Sequence, residues 1–139
     1  MGRTGKPFVS NISAFLAAPE YVHISPTSAE DDLSGQVVGP YQEGLEAEFR
    51  CTSGGGQPAP TVHWTLAGEK LDGENMVEDN FLTAETTVTS ELKVRLRRDH
   101  SGQELTCIIN HELLNEPMEA SMQLDVNGGF CNLVYLVDV

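Results

Sequence analysis

Three cysteines carry the most reactive side chains of this 139-residue sequence: Cys51, Cys107 and Cys131. A nucleophilic cysteine needs a lowered pKa and a base close by, and no motif pairs one of these residues with a histidine. A zinc site usually draws its ligands from close pairs such as C-x-x-C, and the sequence contains none. Both interpretations lack a motif, although spacing alone excludes neither.

A structural disulfide between Cys51 and Cys107 explains their positions better. Each cysteine follows an apolar residue, Phe49 or Leu105, by two positions, which places the sulfur and the apolar side chain on one face of a strand. Trp64, the only tryptophan, lies between the cysteines on another apolar-alternating run. We therefore predict a bond that joins two facing sheets with the tryptophan packed on it. Such bonds persist in oxidising compartments, and the odd cysteine count leaves one thiol over.

The other residues that bind metals or transfer protons show no functional spacing. The four histidines fall on separate predicted strands and loops, and only His63 and His111 would approach each other if their strand and loop meet. The acidic runs at residues 30–32 and 74–79 lack the alternating ligands and the glycine of a calcium loop, so we expect solvated loops there. We therefore predict no metal site, no cofactor, no small-molecule substrate and no catalysis.

The charge of the chain limits its partners. The formal net charge is -13, and only 8 residues are lysine or arginine. Such a chain repels nucleic acid, whose binding requires cations that neutralise phosphates, and it repels an anionic membrane surface. A basic patch on a partner protein would instead be attracted. No apolar run approaches the roughly 18 residues of a membrane span, so we expect membrane contact only through segments absent from this chain.

Alternation of apolar and polar residues predicts short β-strands over much of the sequence. The runs LEAEFRC, TVHWTL, ELKVRLR and ELTCII each place apolar side chains on one face, and ASMQLDV, YVHI and the weaker TAETTVT complete the set. Stretches rich in turn residues, such as VVGPYQEG and LAGEKLDGEN, separate them. Seven such strands without a helical segment predict an all-β sandwich or barrel.

Four stretches carry a family resemblance: GPYQEGLEAEFRC, GGGQPAPTVHWTLAGEKL, TSELKVRLRRDHSGQELTC and NEPMEASMQLDV. They resemble an immunoglobulin-like domain of the constant-like subset, similar to the second immunoglobulin domain of Sidestep, nephrin and nectin-type cell-surface receptors. The Cys…Trp…Cys spacing fits the whole superfamily, and the glycine- and proline-rich run before Trp64 narrows it. Many such domains carry a tyrosine where this chain has Leu105, which argues against an antibody-like variable domain.

The resemblance implies an immunoglobulin-like β-sandwich of about seven antiparallel strands with an inter-sheet disulfide, over residues 19–127. It assigns strands to residues 21–24, 45–51, 62–66, 92–96, 105–109 and 120–126, and an edge strand to residues 83–89. The expected core residues are Trp64, Phe49, Leu105, Leu92 and Leu96. Residues 1–18, expected to be disordered, and residues 128–139 are predicted extensions that contain the single glycosylation sequon, at Asn11, and Cys131.

Two outward faces follow from immunoglobulin topology. Strands 45–51 and 92–96 would lie side by side and present a solvated ladder of opposite charges. The other sheet would present a face with few charges, and the centres of protein interfaces are likewise depleted of charged residues. The candidate protein-binding residues on that face are Thr61, His63, Thr65, Ile108, Asn110 and Gln123. An ordinary edge of a small sandwich has the same pattern, and the sequence does not separate the two.

The resemblance also implies a function. It indicates a non-catalytic module of a cell-surface or secreted protein that mediates cell adhesion or receptor–ligand recognition. The expected partners are other immunoglobulin-like domains in the same or an opposing protein, and this chain would be a fragment of a longer extracellular protein. The alternative is a structural immunoglobulin domain of a cytosolic, muscle-type scaffold, in which both cysteines would stay reduced. A count of free thiols separates these two.

Overall fold

The structure, a computed structural model, describes residues 16–80, 82–83 and 85–127. These residues form nine β-strands and one short 3-10 turn at Arg98–His100. The strands are β1 (Tyr21–Pro26), β2 (Val37–Gln42), β3 (Glu46–Gly54), β4 (Thr61–Leu66), β5 (Glu69–Leu71), β6 (Glu74–Asn80), β7 (Glu85–Arg95), β8 (Glu104–Asn110) and β9 (Met118–Asn127). Within these residues, no helix has the length and apolarity to cross a bilayer.

The strands form two sheets that enclose the core. The first sheet has the order β1-β3-β7-β6, and the second has the order β2-β9-β8-β4-β5. Paired strands are antiparallel, except that β2 runs parallel to β9. The predicted all-β immunoglobulin-like sandwich is confirmed, with a mixed second sheet in place of a purely antiparallel one. We refer to the outward surfaces of the two sheets as the four-stranded face and the five-stranded face.

Alternate residues of the strands fill the space between the sheets. Trp64 is fully buried, and its indole N–H donates a hydrogen bond of 2.9 Å to the hydroxyl of Ser90, which is also fully buried. The other expected core residues are each at most 2 % exposed: Phe49, Leu92, Leu96 and Leu105. Because burying a large apolar side chain contributes about 1.5–3 kcal/mol, this layer supplies most of the driving force for folding.

The disulfide between Cys51 and Cys107 is confirmed and joins the two sheets. Cys51 lies on β3 and Cys107 on β8, with their Cα atoms 6.4 Å apart. The two residues are 56 positions apart in the sequence. In the chain-entropy model, closing a loop of this size stabilises the folded state by about 4 kcal/mol. Since both sulfurs are bonded, neither cysteine is a free nucleophile or a zinc ligand.

The region of β6 and β7 differs from the sequence prediction. The prediction of two separate strands at residues 83–89 and 92–96 is wrong. A single strand, β7, runs unbroken from Glu85 to Arg95 and lies between β3 and β6. The edge strand is instead β6, within the acidic stretch that was expected to be a solvated loop. All seven residues of β6 are exposed, so no alternation of apolar and polar residues marks it as a strand.

Strands β2 and β5 lie in stretches whose composition predicts turns, so that prediction is also wrong. In β2, Gly39 has a φ of 137°, and a Cβ atom there would collide with the backbone oxygen of Asp125. The register of β2 with β9 shifts between Val38 and Tyr41. The glycine and the proline that follows it therefore mark an irregularity within a strand and not its end. Strand β5 has only three residues.

The turn before β8 is held without the tyrosine that many immunoglobulin-like domains use. His100 is 4 % exposed, and its Nδ1 accepts a hydrogen bond of 3.0 Å from the backbone N–H of Arg97. The hydroxyl of Ser101 accepts a hydrogen bond of 3.0 Å from the backbone N–H of Val126. These two side chains fix the turn and attach it to β9, and Leu105 is fully buried.

Candidate functional site

The five-stranded face carries the six residues predicted to bind protein, which we call the binding patch: Thr61, His63, Thr65, Ile108, Asn110 and Gln123. On β4 and β8, Thr61 is in register with Asn110, and His63 is in register with Ile108. Neighbouring inward positions, such as Trp64 and Ile109, are fully buried, so strand parity turns the patch residues outward. These four residues therefore form two adjacent rows of one surface.

A third row extends the patch towards β9. Thr65 is in register with Thr106, and Thr106 is in register with Ser121. The hydroxyl oxygens of Thr106 and Ser121 lie 2.9 Å apart and share a hydrogen bond. Gln123 is exposed at the margin, where its side-chain amide donates a hydrogen bond of 3.3 Å to the carbonyl of Gly102. These rows of the patch thus carry no carboxylate, lysine or arginine side chain.

The sequence prediction missed charged residues on this face, three of which lie beside the binding patch. Glu104 on β8, Glu119 on β9 and Lys70 on β5 are each in register with a residue of the binding patch. Glu119 was missed because β9 begins at Met118 and not at residue 120, and Lys70 was missed because β5 was not recognised. The face therefore has an uncharged centre with charges around it, an arrangement typical of protein interfaces.

Two loops at one end of the sandwich are joined through His111. Its Nε2 lies 2.9 Å from the carbonyl oxygen of Pro58, and its Nδ1 accepts a hydrogen bond of 3.1 Å from the backbone N–H of Leu113. Because Nδ1 accepts, Nε2 carries the proton that is donated to Pro58. His111 therefore connects the loop that contains Pro58 with the loop that contains Leu113. Across residues 16–80, 82–83 and 85–127, no three metal-ligating side chains form a group that could hold an ion.

The predicted charge ladder on the four-stranded face forms only in part. The register places acidic residues of β3 opposite basic residues of β7. In the described part of the chain, however, only Arg50 and Glu91 form an ion pair across these strands, at 3.1 Å. Arg95 instead donates a hydrogen bond of 2.7 Å to the carbonyl of Gly44. Exposed pairs contribute at most about 1 kcal/mol, so the ladder is mainly a solvated surface.

Two tyrosines have pKa values that the fold displaces. Burial raises the pKa of Tyr41, whose ring packs edge-on against Phe49 with centroids 6.1 Å apart. Burial also raises the pKa of Tyr21, and the negative charges of Glu85 and Glu20 raise it further. Both effects favour the neutral phenol in the folded state. The folded domain is therefore expected to lose stability as the pH rises into the alkaline range.

Asn11 and Cys131 lie outside the described residues. The glycosylation site and the unpaired third cysteine therefore remain predictions, as do the boundaries at residues 19 and 127. Trp64, Phe49 and the other buried residues position the two faces but present no surface to a partner.

Comparison with known proteins identifies similar sequences. A sequence model of the CD80-like C2-set immunoglobulin domain matches residues 27–118. Cell adhesion molecule 3 of Xenopus laevis is 33% identical over 84 residues, which cover 58% of this chain and 21% of that protein. The chain spans about a fifth of the length of the curated relatives it matches.

Two solved structures share the fold of this chain. Rst D1-D2 superposes with a TM-score of 0.62 at 22% identity, covering 78% of this chain and 49% of that one. The ectodomain of mouse nectin-like molecule 4 (Ig1-Ig3) also superposes with a TM-score of 0.62, at 21% identity, covering 79% of this chain and 34% of that one. At these identities the likeness concerns the fold alone.

Proposed function

The chain belongs to the CD80-like C2-set immunoglobulin domain family, and we propose that it is a non-catalytic recognition module of a cell-surface or secreted adhesion protein. Its similarity to cell adhesion molecules supports the adhesion role. The observation that carries the proposal is the binding patch, an uncharged surface surrounded by charges on a domain whose chain has a net charge of -13.

The disulfide between Cys51 and Cys107 supports an extracellular location. Such bonds persist in oxidising compartments and are rare in the cytosol. The same bond favours this proposal over a structural domain of a cytosolic, muscle-type scaffold, whose cysteines would stay reduced.

The proposed contact combines a low desolvation cost with a defined orientation. Ile108, half-buried on β8, supplies apolar area, and His63 and the neighbouring threonines supply hydrogen-bonding groups. The surrounding charges, Glu104 and Glu119, would select the orientation of a partner and speed its encounter. The proposed partner is another immunoglobulin-like domain, in the same or an opposing protein, whose sheet face lies against this one.

A binding screen tests the proposal. This domain is produced through the secretory pathway, tetramerised, and applied to an array of immunoglobulin-like ectodomains that includes the domain itself. The decisive variant is I108K, which places a charge in the middle of the patch. Glu119 is in register with Ile108, so its carboxylate can pair with the new ammonium group and preserve the fold. The matched control is L45K, which makes the same kind of replacement at a residue that is 45% exposed and precedes β3 on the other sheet.

The proposal predicts that I108K weakens binding to an ectodomain partner by about tenfold or more, as expected for a charge buried in the middle of an interface. L45K should leave that binding unchanged. Binding that survives I108K, or that is lost equally in both variants, would contradict a role for the patch.

A further inference from the structure

A depression on the four-stranded face forms because its central strands carry small side chains and its outer strands carry large ones. One row across the sheet contains His23 on β1, Thr52 on β3, Thr89 on β7 and Met76 on β6. The two threonines form the floor, and His23 and Met76 stand at the sides. Met76 is 58% exposed, so much of its apolar side chain is open to contact. The face is therefore concave at this row.

The neighbouring rows close both ends of the depression. At one end, the ring of Tyr21 covers Gly54, where a Cβ atom would lie 2.7 Å from the tyrosine ring carbons. The same ring stacks on His23, with centroids 4.7 Å apart. At the other end, Arg50 donates hydrogen bonds to Glu91 at 3.1 and 3.3 Å and to the carbonyl of Thr27 at 3.3 Å. These contacts fix the walls before any ligand binds.

The charge around the depression is acidic. Glu30 lies at its edge, and Glu74 and Glu78 flank Met76 on the exposed strand β6. Arg50, a cation in its lining, is already paired with Glu91. A second copy of this chain, with the same net charge of -13, would be repelled, whereas a cationic side chain would be attracted.

We propose that this depression is a second contact surface, which accepts an arginine or lysine side chain from an extended, basic segment of a partner protein. The cation enters between His23 and Met76 towards the threonine floor, and apolar residues beside it in the segment contact Met76 and the ring of Tyr21. The depression lies on the sheet opposite the binding patch. Because the two surfaces belong to different sheets, binding at one leaves the other open.

Titration of the ¹⁵N-labelled domain with two peptides tests the proposal at low salt. The probes are an acetylated and amidated VRVRV peptide and its VEVEV counterpart, followed through the backbone amide signals. The variant E74K/E78K reverses the acidic edge, and T52Y fills the floor without changing the charge. The matched control, E112K/E116K, reverses two exposed acids in the loop after β8. Fluorescence of the buried Trp64 reports whether each variant keeps its fold.

The proposal predicts saturable shifts from VRVRV at Thr52, Met76 and Thr89, with none from VEVEV. E74K/E78K should weaken binding about fivefold or more, because it removes two exposed ion pairs with the peptide. T52Y should weaken binding to a similar extent, because the tyrosine ring occupies the floor that the cationic side chain would enter, and E112K/E116K should weaken it less than about twofold. Shifts spread evenly over acidic loops, equal weakening by the control pair, or binding that T52Y leaves intact would overturn the proposal. An absence of saturable shifts would do the same.

Discussion

Replacing Ser90 by alanine should destabilise the domain far more than replacing an exposed serine by alanine would. Ser90 and Trp64 are both fully buried, and the indole N–H donates to the serine hydroxyl at 2.9 Å. Gly73 packs against the pair so closely that a Cβ atom there would lie 2.6 Å from Ser90 Oγ and 2.9 Å from Trp64 Nε1. Little room remains for a water molecule to replace the hydroxyl. S90A therefore leaves a buried donor without a partner, at a cost of about 1–3 kcal/mol.

Urea denaturation followed by circular dichroism measures this cost, and the chain supplies a matched control. Ser53 is 1% exposed, and its hydroxyl has no hydrogen-bond partner within the described part of the chain. S53A should therefore change the free energy of unfolding by less than about 0.5 kcal/mol, or should stabilise the domain, because it removes an unsatisfied hydroxyl.

A double-mutant cycle with W64F isolates the hydrogen bond itself. Phenylalanine lacks the N–H group, so S90A should cost less than about 0.5 kcal/mol in the W64F background, and the coupling energy should be about 1 kcal/mol or more. An S90A cost no larger than that of S53A, or an S90A cost that is the same in both backgrounds, would refute the stabilising role of this hydrogen bond.

Two further predictions concern the whole sandwich. Replacing both disulfide cysteines in C51A/C107A should lower the free energy of unfolding by about 4 kcal/mol, measured by urea denaturation, and a loss below about 1 kcal/mol would contradict the loop-closure argument. Alkaline pH should also destabilise the domain, because the pKa values of Tyr21 and Tyr41 are raised on folding. The contribution of these two tyrosines to stability is complete below the ordinary phenol pKa of about 10 and is lost as the pH rises through their pKa values in the folded state. Y41F should therefore make the decline of the melting temperature with pH shallower. A decline that Y41F leaves unchanged would contradict the role of Tyr41.

Strands in which apolar and polar residues alternate strictly were predictable from the sequence, because the apolar residues mark the buried face and the polar residues mark the outward face. β4 and β8 were predicted within one residue at each end, and the inward cysteine of β8 pointed to the disulfide. β7 was divided at Ser90, because a serine at an inward position breaks the alternation. The reason for that serine is the indole of Trp64, 26 positions away in the sequence, which no local pattern reveals.

Prediction failed where a strand has no buried side. β6 is exposed at every position, so its backbone pairing with β7 is all that makes it a strand. The outward position of the patch residues was predictable because parity on β4 and β8 decides which side chains face outward. The charged residues around them required the observed start of β9 and the existence of β5. The depression on the four-stranded face required the position of β6, since Met76 forms one of its sides.

Covalent side-chain footprinting of the domain, alone and bound to an ectodomain partner from the array, tests the role of the five-stranded face most directly. We predict that the partner lowers the labelling of His63 and Ile108 and leaves the labelling of Leu45 unchanged. Labelling of His63 and Ile108 that stays the same, with protection found only elsewhere on the domain, would contradict the proposed function.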